Sequence, residues 1–259
     1  MKLHVLPARQ GVLWVKQGIK TFFRQPLALS GLFFIFMALM SILSLVPVLG
    51  NALALALLPA ATLGLMAATQ VVTQGEFPKP LVLLSGFRAG RKESRSMVVL
   101  GGLYAVAILL VLASSALVDG GKFAKLYLLG GSMDADMFQD DSFKSAAMLA
   151  MALYLPVSLL FWHAPALVHW HGVSPVKSLF FSAIACGRNM GAYLVYSLVW
   201  FALFLGVSTL AALIAMLIGG EESVASVLFP CGLVMAAMFF ASIYFTFADS
   251  FDTGTDVLA

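Results

Sequence analysis

Six stretches of the chain carry no Asp, Glu, Lys or Arg over a length that could cross a bilayer: about Leu27–Leu49, Asn51–Val72, Met97–Val118, Ser145–Val168, Ala192–Ile218 and Val224–Phe247. A helix needs roughly 20 apolar residues, at 1.5 Å each, to traverse the hydrocarbon core. The runs are continuous rather than alternating, which predicts helices and not barrel strands. Only Gly50 and Asn51 separate the first two runs, so they form a hairpin with a tight turn. The fifth and sixth are joined by the short turn Gly219-Gly220-Glu221-Glu222-Ser223. The pattern predicts an all-α, polytopic transmembrane helical bundle of six spans, one integral membrane domain over 1–259. Residues 1–26 form an amphipathic segment before it and 248–259 an acidic tail after it.

Composition agrees. Of 259 residues 61% are hydrophobic and 10% charged, and mean hydropathy is +0.99. An ordinary soluble domain carries about 25% charge, so too few polar side chains exist to cover a water-soluble globule of this size. A soluble enzyme, a nucleic-acid module, a disordered chain and a disulfide-stapled secreted domain are all excluded. The net charge of +3 reflects sidedness rather than a nucleic-acid partner. Of the 15 basic residues, 12 lie before span one, after span two or after span four. The opposite side holds only Lys122, Lys125 and Lys144, together with most of the acids. The positive-inside rule then puts both termini in the cytoplasm. The first apolar run exceeds a secretory h-region and another span follows at once, so it reads as an uncleaved anchor. Cys186 and Cys231 read as reduced, small apolar side chains.

Two stretches outside the spans are amphipathic. From Pro7 to Gln25, a helical projection gathers Val12, Val15, Ile19, Phe22 and Phe23 on one face, with Arg9, Lys16, Lys20 and Arg24 in an adjacent stripe. After span four, Pro175–Ile184 repeats the device between Lys177 and Arg188. Both predict cytoplasmic-side interfacial helices, apolar face in the acyl boundary and bases on anionic headgroups. Gly11-Val12-x-x-Val15-Lys16 also matches Gly172-Val173-x-x-Val176-Lys177, while Leu58-Pro59-Ala60 parallels Phe229-Pro230-Cys231. This pattern is either a parallel internal repeat or chance similarity within an apolar-biased alphabet.

Small residues mark predicted helix contacts. Ala60, Gly64 and Ala68 share one face of span two, and Gly232 with Ala236 repeats the spacing in span six. Lipid is as apolar as leucine, so close backbone approach must hold such helices together. Pro59, Pro156 and Pro230 lie within spans two, four and six, with Pro47 and Pro165 near span ends, and predict bends there. Such bends could frame a cavity or serve ordinary packing.

No ionisable Asp, Glu, Lys or Arg lies inside a span, which argues against a proton relay, and no GxxxxGK[ST], HExxH or GxSxG occurs. His163, His169 and His171 are weak metal candidates beside Trp162 and Trp170; interfacial anchoring is the competing account. Asp134, Asp136, Asp140 and Asp141 cluster in the third interspan loop but miss the EF-hand spacing, leaving a solvated acidic loop as the simpler account. Arg88, Arg91, Lys92 and Arg95 crowd the segment before span three, where they set topology, attract anionic lipid, or both. Asp249, Asp252 and Asp256 form a short polar tail.

The punctuation of the chain resembles a proteobacterial family of multi-pass inner-membrane proteins of the YciC-like kind. The resemblance rests on Gly11, Trp14 and Pro26 before span one, then Pro47-x-x-Gly50, Pro59 and Gly64. Pro165-x-Leu167-Val168, Gly172, Ser182 and Asn189 extend it before span five. It implies a six-span protein of the bacterial inner membrane and brings no catalytic residue or cofactor. The expected partners are the lipid bilayer, anionic phospholipids and a further membrane protein. The expected role is a non-enzymatic scaffold, accessory subunit or modulator of envelope processes. A carrier for an apolar or zwitterionic small molecule is the alternative, and an intramembrane metal protein or enzyme centred on the histidines a third.

Overall fold

The computed structural model describes residues 2–251 apart from 47, 131–136 and 138. The fold is all-α. Its helices are α1 Gln10–Phe22, α2 Pro26–Ser44, α3 Leu49–Thr73, α4 Ser85–Arg88, α5 Arg91–Asp119, α6 Lys122–Leu129, α7 Asp141–Phe161, α8 Ala164–His171, α9 Pro175–Arg188, α10 Met190–Gly219 and α11 Glu221–Ser250. A 3₁₀ helix, Pro80–Leu84, precedes α4. Among the described residues the only β pairing is an isolated bridge between Leu3 and Phe251. Six helical segments are long and apolar enough to cross a membrane, with α7 and α8 together as the fourth.

The helices do not stop where the apolar runs do. Once nucleated, a helix gains one backbone bond per added residue, and α5 therefore starts among the bases at Arg91 rather than at Met97. Span one, in contrast, ends at Ser44, short of Leu49. The hairpin there is built on Val48, at φ 62°, and on Gly50. A Cβ at Gly50 would lie 1.8 Å from the Leu43 carbonyl oxygen, so only glycine closes this turn.

By internal contacts the chain forms two compact units. The first comprises Met1–Ile35, Gly64–Leu83 and Ala185–Ala259; the second comprises Phe36–Leu63 and Leu84–Ile184. Hydropathy could not show this division, because α2 and α3 each contribute residues to both.

In the first unit α1 packs against α10 and α11. A Cβ at Gly11 would stand 2.3 Å from the Ala192 carbonyl oxygen, and one at Gly18 would stand 2.3 Å from Ser242 Cβ. These glycines are two turns apart on one face, so α1 touches α10 through the first and α11 through the second. Trp14 lies between them, fully buried, its ring 5.2 Å from Tyr193 and 6.0 Å from Tyr196. Ser242 donates its proton to the Phe239 carbonyl at 2.6 Å, so Tyr196 Oη (2.6 Å) and Trp200 Nε1 (3.2 Å) donate to Ser242 Oγ. The expectation that the apolar face of α1 enters the acyl boundary is thereby corrected. Val15 and Phe22 are buried in protein, Val12 and Ile19 are half-buried, and only Phe23 of that set is exposed.

In the second unit α5 packs along α7 and also contacts α4, α6 and α8. A cluster of Leu55, Ala105, Ile108 and Leu112 forms a core, with Phe123 and Leu128 of α6 laid against it. Helix α5 approaches α3 at Gly101, where a Cβ would be 2.0 Å from the Ala56 carbonyl oxygen. Span four breaks at Trp162-His163, just ahead of Pro165, which has no N–H to return to Phe161, and a hydroxyl bridges the break. Ser182 Oγ accepts from the His163 backbone N–H at 2.9 Å and donates to the Leu159 carbonyl at 2.7 Å. The side chain thus sits inside the backbone bond that would have joined those two residues, a recognised origin of kinks. The helix continues through Pro156 without interruption.

The small-residue faces also need correction. Ala60, Gly64 and Ala68 are all buried, and the segment between spans two and three packs at the first two. A Cβ at Gly64 would meet Leu83 Cα at 2.7 Å, and Gly86 stands against Ala60. Gly232 and Ala236 are only half-buried, and a Cβ at Gly232 would have nothing within 4 Å. Gly18→Leu is therefore expected to cost at least the ~1–3 kcal/mol typical of overpacking, whereas Gly232→Ala is expected to be neutral or slightly stabilising through helix propensity. Thermal unfolding of the two variants in the same detergent checks the contrast.

Candidate lipid-headgroup surface

Helix α1 is held at both ends and along one side, and this decides where its cations point. The segment before it is tied down by Asn189, whose side chain accepts from the Leu6 N–H at 2.8 Å and donates to the His4 carbonyl at 3.0 Å. The His4 N–H also donates to the Ser250 carbonyl. On the helix itself, Gln10 Nε2 (2.6 Å) and Trp14 Nε1 (2.8 Å) both donate to Asp249 Oδ2. Asp249 thus belongs to the last turn of α11 and clamps α1; it is not part of a free acidic tail. Asp252 and Asp256 lie outside the described residues. At the far end Gln25 Nε2 donates to the Glu76 carbonyl at 3.0 Å.

With its inner face docked, α1 turns Arg9, Lys16, Lys20 and Arg24 outward, all four exposed, alongside exposed Leu13 and Phe23. The cationic stripe read from the sequence is therefore real and rigidly mounted. Helix α9 is arranged inside out by the standards of a soluble protein. Val176 is 70% and Phe180 61% exposed, next to exposed Lys177 and Arg188, while Ser178, Ser182 and Cys186 are buried. The four bases near span three are exposed too. Arg88 ends α4, and Arg91, Lys92 and Arg95 open α5. Cations at a helix N-terminus oppose the macrodipole, so helix stability does not account for them.

The other candidate clusters do not assemble. Among the described residues no three His, Cys, Asp or Glu side chains form a group that could hold a metal ion. His163 is fully buried at the start of α8, whereas His169 and His171 are in its last turn and half-buried. In the third interspan segment, Asp134 and Asp136 lie outside the described residues. Asp140 caps α7, accepting from the Ser142 N–H at 2.9 Å, and pairs with Lys122 Nζ at 2.5 Å. Asp141 pairs with Lys144. The Lys122 hydrogen bond, then that of Ser142, holds the Asp140 carboxyl well below the usual carboxylate range, and Asp140 in turn pushes Lys122 up. Sequence reasoning missed α6, which lies between these charges. Its signal was the alternation of Lys122 and Lys125 with Phe123, Tyr127 and Leu128 at helical spacing.

No family model matches the chain, and no solved structure does. A probable inner membrane protein of Burkholderia thailandensis is 43% identical over 254 residues, covering 97% of this chain and 94% of that one. The chain belongs to that protein's family. Covering 97% of the chain, the match takes in the six candidate spans.

Two outcomes follow. Asp249→Leu leaves the Gln10 and Trp14 donors without an acceptor and should cost about 1–3 kcal/mol, read as lower thermal stability and faster proteolysis before α1; Asp249→Asn should lose less. The Asp140–Lys122 contribution should be flat between the two ordinary values, 3.8 and 10.5. Asp140's share is full above 3.8 and is lost as pH falls through its lowered value; Lys122's share is full below 10.5 and is lost as pH rises through its raised value. Hydrogen exchange across α6 and the first turn of α7 checks that window.

Proposed function

We propose that this chain is a non-enzymatic protein of the bacterial inner membrane, a scaffold, accessory subunit or modulator of envelope processes. It is docked on anionic headgroups through the outward faces of α1 and α9. The observation that carries this reading is α9, which exposes Val176 and Phe180 beside Lys177 and Arg188 and buries its serines. Such a face suits the boundary between acyl chains and headgroups and nothing in water. The four outward bases of α1 add roughly 1 kcal/mol each against an anionic surface. The docked helix means that little backbone order has to be created on binding. The 12 basic residues before span one, after span two and after span four support a cytoplasmic location for both termini. Membership of the YciC-like group, and a membrane protein as a further partner, belong to the same proposal.

The test is lipid retention. Purified in mild detergent and read by native mass spectrometry, the protein should keep phosphatidylglycerol in preference to phosphatidylethanolamine. Replacing Arg9, Lys16, Lys20 and Arg24 together by Gln should remove most of that preference. Equal retention of the two lipids, or an unchanged preference in the variant, would defeat the proposal. Orientation is read separately: a periplasm-active reporter after Gly130 should give signal and one after Arg91 should not.

The second reading, a carrier for an apolar or zwitterionic small molecule, draws on a cavity of about 200 Å³ in the second unit. It sits against the last turn of α2 and the first turns of α3 rather than their middles, which suits a binding pocket better than a path.

A further inference from the structure

The same cavity has a chemistry of its own. Its walls are Met40, Ala54, Leu55, Leu58 and Leu128, with three polar side chains, Ser44, Asn51 and Tyr127. Among the described residues no charged side chain lines it, so an ionic ligand would find no compensating charge there. The polar groups offer both acceptors and donors. Ser44 has already donated its only hydroxyl proton to the Met40 carbonyl at 2.9 Å, so its oxygen offers lone pairs alone. The Asn51 amide donates one N–H to the Leu128 carbonyl, which fixes its flip and leaves the carboxamide oxygen to accept and the second N–H to donate. The Tyr127 hydroxyl can act either way. A ligand that merely accepts, such as an ester or ether, leaves the acceptors unmet; a hydroxyl donates to one of them and accepts in turn.

The volume is below the range of roughly 300–1,000 Å³ that encloses a drug-sized molecule, so what enters is a small head or one chain segment. The position fits: the polar groups sit at the α2–α3 hairpin and on α6, while the apolar walls follow α2 and α3 inward. We infer that this cavity is a binding site for a neutral, hydroxyl-bearing amphiphile, its hydroxyl donating to the Asn51 carboxamide oxygen or Ser44 and accepting in turn, and its chain lying against Met40, Leu55 and Leu58. The site stands independently of the headgroup surface on α1 and α9.

The experiment uses the full chain in detergent and two photoactivatable diazirine probes, a long-chain primary alcohol and its methyl ether. The alcohol should label saturably, with adducts on Met40, Leu55, Tyr127 or Leu128. The ether should label roughly fivefold or more weakly, the ratio expected for the loss of about one hydrogen bond. Ala54→Phe, which fills the cavity, should abolish the saturable labelling at unchanged thermal stability. Asn51→Leu should reduce the alcohol to the level of the ether; if that variant does not fold, Ser44→Ala with Tyr127→Phe takes its place with the same expectation. Equal labelling by alcohol and ether, or labelling that survives Ala54→Phe, overturns the site.

Discussion

Helices surrounded by lipid cannot be pressed together by the exclusion of water, because the surrounding chains are as apolar as the side chains. Contact at van der Waals distance between backbones, and hydrogen bonds with no competing solvent, must do that work. In this protein the constraint is met at single glycines. Gly11 and Gly18 bring α1 onto α10 and α11, and Gly101 brings α5 onto α3, each so close that a methyl group would overlap the neighbour. The aromatic network around Trp14 and the clamp from Asp249 form only because α1 lies that near. The outward cations of α1 owe their fixed direction to the same approach.

Hydroxyl groups supply the second kind of contact, and they act on backbone as much as on each other. Ser182 replaces a missing helical bond in span four and Ser242 collects two donors from α10. Where no water is available, a hydroxyl that both accepts and donates is the cheapest way to break a helix without orphaning a peptide group. The break in span four therefore lies just ahead of Pro165 and is bridged by a residue on α9, while Pro156 leaves the helix unbroken.

Several residues that carried the family resemblance turn out to be these contact points. Gly11, Trp14, Gly50, Gly64, Ser182 and Asn189 each sit where backbones meet or where a chain end is tied down. Reading them as punctuation was sound, but their partners were not legible, because most of them, such as Ala192 for Gly11, lie far away in sequence. Gly64 was expected to face a span and instead receives Leu83, from the segment just downstream. Gly232 offered the same spacing, yet nothing approaches it. Small-residue spacing shows where approach is allowed and is silent on whether anything approaches. The exposure of the cations was legible in every residue, since charge avoids the hydrocarbon wherever the helix lies. The cavity was not, because Ser44, Asn51 and Tyr127 come together only through the hairpin and α6.

The sequence by itself determined the six apolar spans, their helical character and which residues carry charge outside them. These follow from hydropathy and charge, which are local and act on each segment alone. Only the tertiary structure decided which face of α1 is docked, why span four bends, that Asp249 is a clamp, and that two compact units share α2 and α3. Those outcomes depend on which backbones fit closest, a pairwise geometric property that no single segment carries.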